Sequence, residues 1–590
     1  MQESIPALPQ TPVRRRTFAQ RLRQAGATVV HHAKKHAGVG TVCAVAYFDP
    51  GNWGVDLQAG SQFGYHLLFV ILIAGIFAAF LQVLASRLGC VTGLDLASHS
   101  RLLLYNRPKH KLLYRWLGLY PLYILAEVAI IATDLAELLG SAIALCLLFP
   151  KLELWHGVLI TAFDVILILG MRDPLRGRPV RMFEVLIASM VLAVLICMII
   201  IIAKVHVDWG DAFQGYIPSK YIFSSGGIYT SVGILGATVM PHSLFLGSAL
   251  ATQDRISFRP PPDAGTFGTV NTKEIDESSP IKPSDKATYL RRLFAEFKEY
   301  ILSAFRKPPA STAVTHHSER QNNPFEFVRA HVYHGMFDVV GSLLGFAVMI
   351  NSLILMLASA VFFYGNDNTG DLSPASLFDA YDLIRDKVGK PAATLFAIAL
   401  LAAGQSSSLI ATVAGQAVSE GFLNWRISVR HIWFYIEVVK VNVVSYKAAM
   451  RRVITRLLAI IPSMAIAIAI GIPGINALLV ASQVVLSIVL PFVTFPLLYC
   501  TSSRAIMSVR KKRTEAIDIS GALAAIDVPP EELQCQDQDP SAAERAEMDG
   551  DEMVDYSNNK LVIAIGVIFW LIIIAANLYV IITLGLGGGT

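Results

Sequence analysis

Ala46-Tyr47-Phe48-Asp49-Pro50-Gly51-Asn52 and Ala237-Thr238-Val239-Met240-Pro241-His242 each interrupt an otherwise apolar run. Pro removes an amide donor and clashes with the turn before it. In lipid the freed carbonyls need partners, so a break of this kind survives only where it is buried or lines a cavity. Both breaks set polar side chains beside the proline. One lies in the first hydrophobic span and the other in the sixth. With ten core spans in two five-helix halves, these are equivalent positions. Matched interruptions in two halves are the strongest sequence pointer to a transporter's substrate site.

The rest of the chain supplies the setting. Of 590 residues, 54% are hydrophobic and 16% are charged, against about 25% charged in an average soluble domain. The hydrophobicity comes in runs long enough to cross a bilayer as helices. Eleven spans are predicted, at 38–60, 66–89, 114–140, 154–170, 181–203, 226–251, 334–363, 390–421, 452–470, 473–500 and 560–586. Basic residues collect in alternate loops, from Arg14, Arg15 and Arg16 to Arg510, Lys511 and Lys512. The N-terminal tail, 1–37, is therefore expected in the cytoplasm and the C-terminus on the opposite side. The tail has no apolar core, so no cleaved signal peptide is expected.

The domain plan is spans one to six over 38–251, spans seven to ten over 334–503, and the eleventh span with a short tail over 560–590. Segments 252–333 and 504–559 are polar and rich in Pro, Ser and charge, and are expected to be largely disordered cytoplasmic loops. Residues 288–306 form an amphipathic basic stretch suited to a membrane surface or to solvent. The net charge of +5 is scattered without aromatic interleaving, which argues against nucleic acid. The cysteines follow no zinc-ligand spacing. No P-loop, HExxH or GxSxG context is present, so no enzyme is expected and no resident cofactor is implied.

The breaks offer a particular donor set. Asp49 is an ionisable group near mid-span, functional by default. Asn52 adds a neutral oxygen, the backbone can add the carbonyls of Ala46 and Ala237, and Met240 adds a thioether. A Ca2+ or Mg2+ site would be all oxygen with more carboxylates. Mixed oxygen and sulfur with one carboxylate favours Mn2+, Fe2+, Co2+ or Cd2+. Gln483 is a further neutral oxygen in span ten, suited equally to an interhelical hydrogen bond. Glu127, Asp134 and Glu137 are spaced to share a face of span three, a row of acids that suggests a proton path. Glu127 and Glu137 suit a membrane boundary as well. His242 changes charge near neutral pH, and Arg456 opens span nine as a counter-charge or an interfacial anchor.

These motifs resemble the Nramp family of proton-coupled divalent metal transporters, in its fungal branch. Asp49-Pro50-Gly51-Asn52 and the run Gly236–Ser248 carry the likeness, with the acidic span three, 401–408, Thr455-Arg456 and Ser482-Gln483. The resemblance implies an all-α, leucine-transporter-type fold of two inverted five-helix repeats plus an eleventh helix. It implies metal ligands at Asp49, Asn52, Met240 and the carbonyl of Ala46 or Ala237, joined by Gln483. It implies a proton route through His242, Asp134 and Glu137, with Arg456 further along. Mn2+, Fe2+ and H+ would then be substrates, and the chain would lie in the plasma membrane or a vacuolar or endosomal membrane. Two departures stand out: Gly247 replaces a second histidine found in many members, and Ser243 replaces an asparagine. The segment 427–448 is longer than the family's short link. A sodium-coupled organic-solute symporter and a non-transporting receptor are the rival readings. Met240 argues against the first, and the absence of a large soluble domain against the second.

Overall fold

A computed structural model describes residues 38–161, 175, 181–224, 226–255, 317, 321–365, 376–423, 460–465, 467–511 and 552–585. Arg456 and residues 288–306 and 427–448 lie outside the described residues. The fold is an all-α bundle with one short two-stranded ribbon. Eight helices among the described residues are long and apolar enough to cross a membrane. The expected eleven differ for a simple reason. The second half of the first span runs on through the second as one stretch, Pro50–Thr92, and the fourth and ninth are described only in part.

The first span consists of Val39–Val45 and Pro50–Phe63. The sixth consists of Gly227–Thr238 and Pro241–Leu250. Each second half starts on a proline, the helix position where a missing N–H is no loss. Span three runs from Lys111 to Leu148, and span seven from Phe325 to Phe363. Both exceed their predicted bounds: span three continues through the apolar run 141–148, and span seven starts earlier, on a turn that includes Glu326 and Arg329. Span three packs most extensively against span eight, Lys390–Leu423.

One end of the bundle is tied by polar contacts. Asp338 of span seven accepts from the amides of Gly38 and Gly40 at 3.2 and 2.7 Å, satisfying the start of the first half-helix. Nearby, Arg255 after span six pairs with Glu184 of span five at 2.7 Å, with both side chains largely buried. The outer helices expose apolar faces, among them Leu561, Ile568 and Leu571 of span eleven, as a helix against lipid requires.

The 504–559 segment is structured at both ends. Strand β1 (Ser508–Lys511) pairs antiparallel with β2 (Glu552–Asp555), Ser508 opposite Asp555. Arg504 meets Asp555 at 2.6 Å and Lys511 meets Glu552 at 2.8 Å. Asn322, just before span seven, donates to the carbonyls of Ile506 and Ser508 at 2.8 and 2.7 Å. Arg87 of span two donates to the Tyr556 carbonyl at 2.7 Å. Cross-strand pairing over so long a connection leaves no periodicity for sequence reading to detect.

Candidate functional site

Proline decides where each helix gives up a carbonyl. The carbonyl of Ala46 would bond the amide of residue 50, and that of Ala237 the amide of residue 241. Both positions are proline, so neither bond can form. The two alanines, both wholly buried, therefore present backbone oxygens inside the bundle. Asp49 caps the second half of span one, and Met240 occupies the equivalent cap position in span six.

The two breaks touch through Asn52. Asp49 Oδ1 accepts from the Asn52 amide at 3.0 Å and from Asn52 Nδ2 at 2.6 Å. Asn52 Nδ2 also donates to the Ala237 carbonyl at 2.9 Å. Asp49, Asn52, Ala237 and Met240 are all buried, and Asp49 Oδ2 has no hydrogen-bond partner. Gln483 of span ten presses its side-chain amide against Gly51, where any Cβ would overlap it. Its Oε1 is buried and without a partner. Five predicted donors thus lie on interlocked elements. Ala46 sits at the end of the first half-helix, three residues before Asp49.

Sequence reading missed Asn351 in span seven. Its Nδ2 donates to the Tyr47 carbonyl at 2.8 Å and lies 3.4 Å from Asn52 Oδ1. It therefore secures a second unwound carbonyl and orients Asn52 together. Asn351 stands on Met349–Ala358, flanked by two π-helical stretches, Leu343–Val348 and Ser359–Phe363. A lone amide in the apolar run 346–357 was the available signal. Trp53 holds the next carbonyl, that of Phe48, at 3.1 Å.

The acidic row divides by depth. Asp134 and Glu137 are buried, whereas Glu127 is only half-buried. Ser407 of span eight donates to Glu137 Oε1 at 2.6 Å. His242 Nδ1 lies 3.2 Å from the hydroxyl of Thr133, the residue before Asp134, while its Nε2 has no partner. The histidine and the two deep acids are thus brought to one seam between spans three, six and eight.

The departures at 243 and 247 have a steric account. A Cβ on Gly247 would overlap the side-chain amide of Gln82 from span two. Gln82 fills that space and lies 3.1 Å from the Tyr47 hydroxyl, which is 2.6 Å from Ser243 Oγ. Ser243 donates onward to the Met240 carbonyl at 2.8 Å. A neutral network stands where a second histidine would project.

Two facing helix breaks around a buried carboxylate, inside a multi-pass bundle, define a membrane transporter and not an enzyme. The family model for natural resistance-associated macrophage protein-like proteins, Nramp, matches residues 40–289 and 310–527. This chain belongs to the Nramp family. It is 36% identical over 555 residues to manganese transporter pdt1 of Schizosaccharomyces pombe, covering 94% of this chain and 86% of that protein. It is 34% identical to iron transporter SMF3 of Saccharomyces cerevisiae, covering 94% and 96%. In structure it resembles the Eremococcus coleocola manganese transporter, with a TM-score of 0.56, 26% identity, and coverage of 98% and 96%.

Proposed function

We propose that this chain imports divalent transition metals, Mn2+ and Fe2+ foremost with Co2+ and Cd2+ as fits to the same donors, by proton-coupled alternating access. One observation carries the reading: Asn52 bridges Asp49 to the carbonyl of Ala237, closing two helix breaks around one carboxylate. The cation exchanges water for Asp49, Asn52, Met240 and the carbonyl of Ala237 or Ala46, with Gln483 at its edge. The thioether sets the preference, since soft sulfur gains little from Ca2+ or Mg2+. Protons leave by His242, Asp134 and Glu137, with Glu127 nearer the surface and Arg456 further along.

In this reading the N-terminus faces the cytoplasm, and the inward proton gradient drives import. The end tied by Asp338 to Gly38 and Gly40, and by Arg255 to Glu184, is then the cytoplasmic gate. Rocking of the half-helices breaks these ties to release the metal. The membrane is the plasma membrane or a vacuolar or endosomal one, and the cytoplasmic side is open to regulatory partners of unidentified kind.

The test is radiolabelled Mn2+ uptake into proteoliposomes, with and without an inward proton gradient, against excess Ca2+. Wild type is expected to take up Mn2+ faster with the gradient and to resist Ca2+, and Met240→Ala to become Ca2+-sensitive. Folded wild type that moves no Mn2+ under either condition overturns the reading.

A further inference from the structure

Asp56 lies seven residues after Asp49 on the same half-helix, Pro50–Phe63. Seven residues come within about 20° of two full turns, so both carboxylates share a face, about 10 Å apart along the axis. Asn52 lies on that face between them. Asp56 is 1% exposed. Its Oδ2 has no hydrogen-bond partner, and among the described residues no Lys, Arg or His pairs with it. Asp49, by contrast, has one oxygen held twice by Asn52.

The surroundings supply no counter-charge. The parts of spans six, seven and ten packed on this half-helix bring no charged side chain. The part of span three packed on it, Tyr120–Leu148, brings only the acids already described. On the short helix Leu377–Lys387, Asp379 is engaged in a capping box, Arg385 pairs with Asp382 and Asp386 in solvent, and Lys387 donates to the Gly365 carbonyl. Span eight adds Lys390 and Glu420 at its ends, and the turn after Phe63 adds His66. A structural aspartate would cap a helix or accept from a neighbour. This one does neither.

We propose that Asp56 is a proton-release residue of the transport cycle, holding a proton in the metal-free protein and giving it up when a divalent cation arrives between the helix breaks. The inference rests on the metal-transport reading above. A bare carboxylate in a low-dielectric interior is costly, and a proton is the smallest charge that relieves it. A dication about 10 Å away on the same face reverses that balance, because its field favours the carboxylate over the acid. The Oδ–H bond breaks, the electron pair stays on the carboxylate, and the proton passes to water. Asp56 touches no metal. It adds a negative charge as the positive charge enters.

The experiment uses the purified full chain in detergent. Protons released per Mn2+ bound are counted by calorimetry in buffers of differing ionisation enthalpy. Asp56→Asn is expected to bind Mn2+ and to release one proton fewer than wild type. Equal release by the two proteins overturns the proposal. If wild type binds no Mn2+, the metal-transport reading fails instead. Infrared difference spectra of wild type provide a second measurement should Asp56→Asn fail to fold. Mn2+ is expected to remove a protonated-carboxyl band that shifts in Asp56→Glu. No such loss, or a band unmoved in Asp56→Glu, also overturns it.

Discussion

Asn52 and Ala237 stand 185 residues apart in the chain, yet the Nδ2 of one donates to the carbonyl of the other at 2.9 Å. The donor follows the break in span one, and the acceptor precedes the break in span six. The same Nδ2 holds Asp49 Oδ1 at 2.6 Å. Binding at Asp49 and the relative position of the two breaks are therefore mechanically linked. A cation that recruits the Asn52 oxygen or the Ala237 carbonyl acts on the two groups this bond joins.

Asn52→Ala tests the linkage. It leaves the buried Ala237 carbonyl without its donor, at about 1–3 kcal/mol, and Asp49 Oδ1 with only the backbone amide of residue 52. Mn2+ uptake is expected to fall at least tenfold, with a lower unfolding temperature in detergent. Uptake and stability both unchanged would show that the bridge has no role.

Gly51 and Gln483 form a second testable pair. A methyl group at 51 overlaps the Gln483 amide, so Gly51→Ala should abolish most uptake. Shortening the partner, as in Gly51→Ala with Gln483→Ala, removes the overlap. The double variant should recover folding yield beyond the sum of the single effects, as expected for residues in contact. The reading is a two-by-two comparison of yield and Mn2+ binding.

Gly247→His places a ring where Gln82 now sits. Overpacking of this kind costs about 1–3 kcal/mol. The variant should express poorly or melt early, and Gln82→Ala should restore it. Thermal unfolding of the four proteins decides this. If Gly247→His is as stable as wild type with Gln82 intact, the space-filling account fails.

The β1–β2 ribbon has its own pH signature. Burial pulls the Asp555 carboxyl upward, but the Ser557 amide and the Arg504 guanidinium outweigh it and hold the group below its usual range. A carboxyl depressed in the folded state contributes stability above its ordinary value of about 3.9, lost as pH falls through the folded value. The ribbon should therefore be unaffected by pH near neutrality and loosen only below about pH 4. Arg504 is 83% exposed, so the contribution is at most about 1 kcal/mol. Hydrogen exchange across 508–511 and 552–555, with Asp555→Ala as comparison, measures it. Protection lost between pH 7 and pH 5 would contradict this assignment.

Much of the site was legible because its signals are local. A proline beside polar side chains within an apolar run needs no tertiary information to be conspicuous, and the candidates Asp49, Asn52, Met240 and His242 are all picked out that way. Asn351 was missed because a single amide in span seven reads as an ordinary interhelical contact until its neighbours are known. Asp56 was missed because nothing in its local sequence distinguishes a solvated acid near a helix end from a buried one. Gln82 was missed for a related reason: it fills space left by a glycine in another span, and that complementarity exists only in three dimensions.

The sequence by itself determined the transmembrane class, the two breaks and the chemical character of the donors. These follow from run length, from the missing amide of proline, and from which atoms each side chain carries. Only the tertiary structure decided which oxygens remain open. Asn52 occupies the Ala237 carbonyl, Asn351 and Trp53 occupy those of Tyr47 and Phe48, and one oxygen of Asp49 is left without a donor. Hydrogen-bond saturation depends on every donor within about 3 Å, and those donors come from spans far apart in the chain.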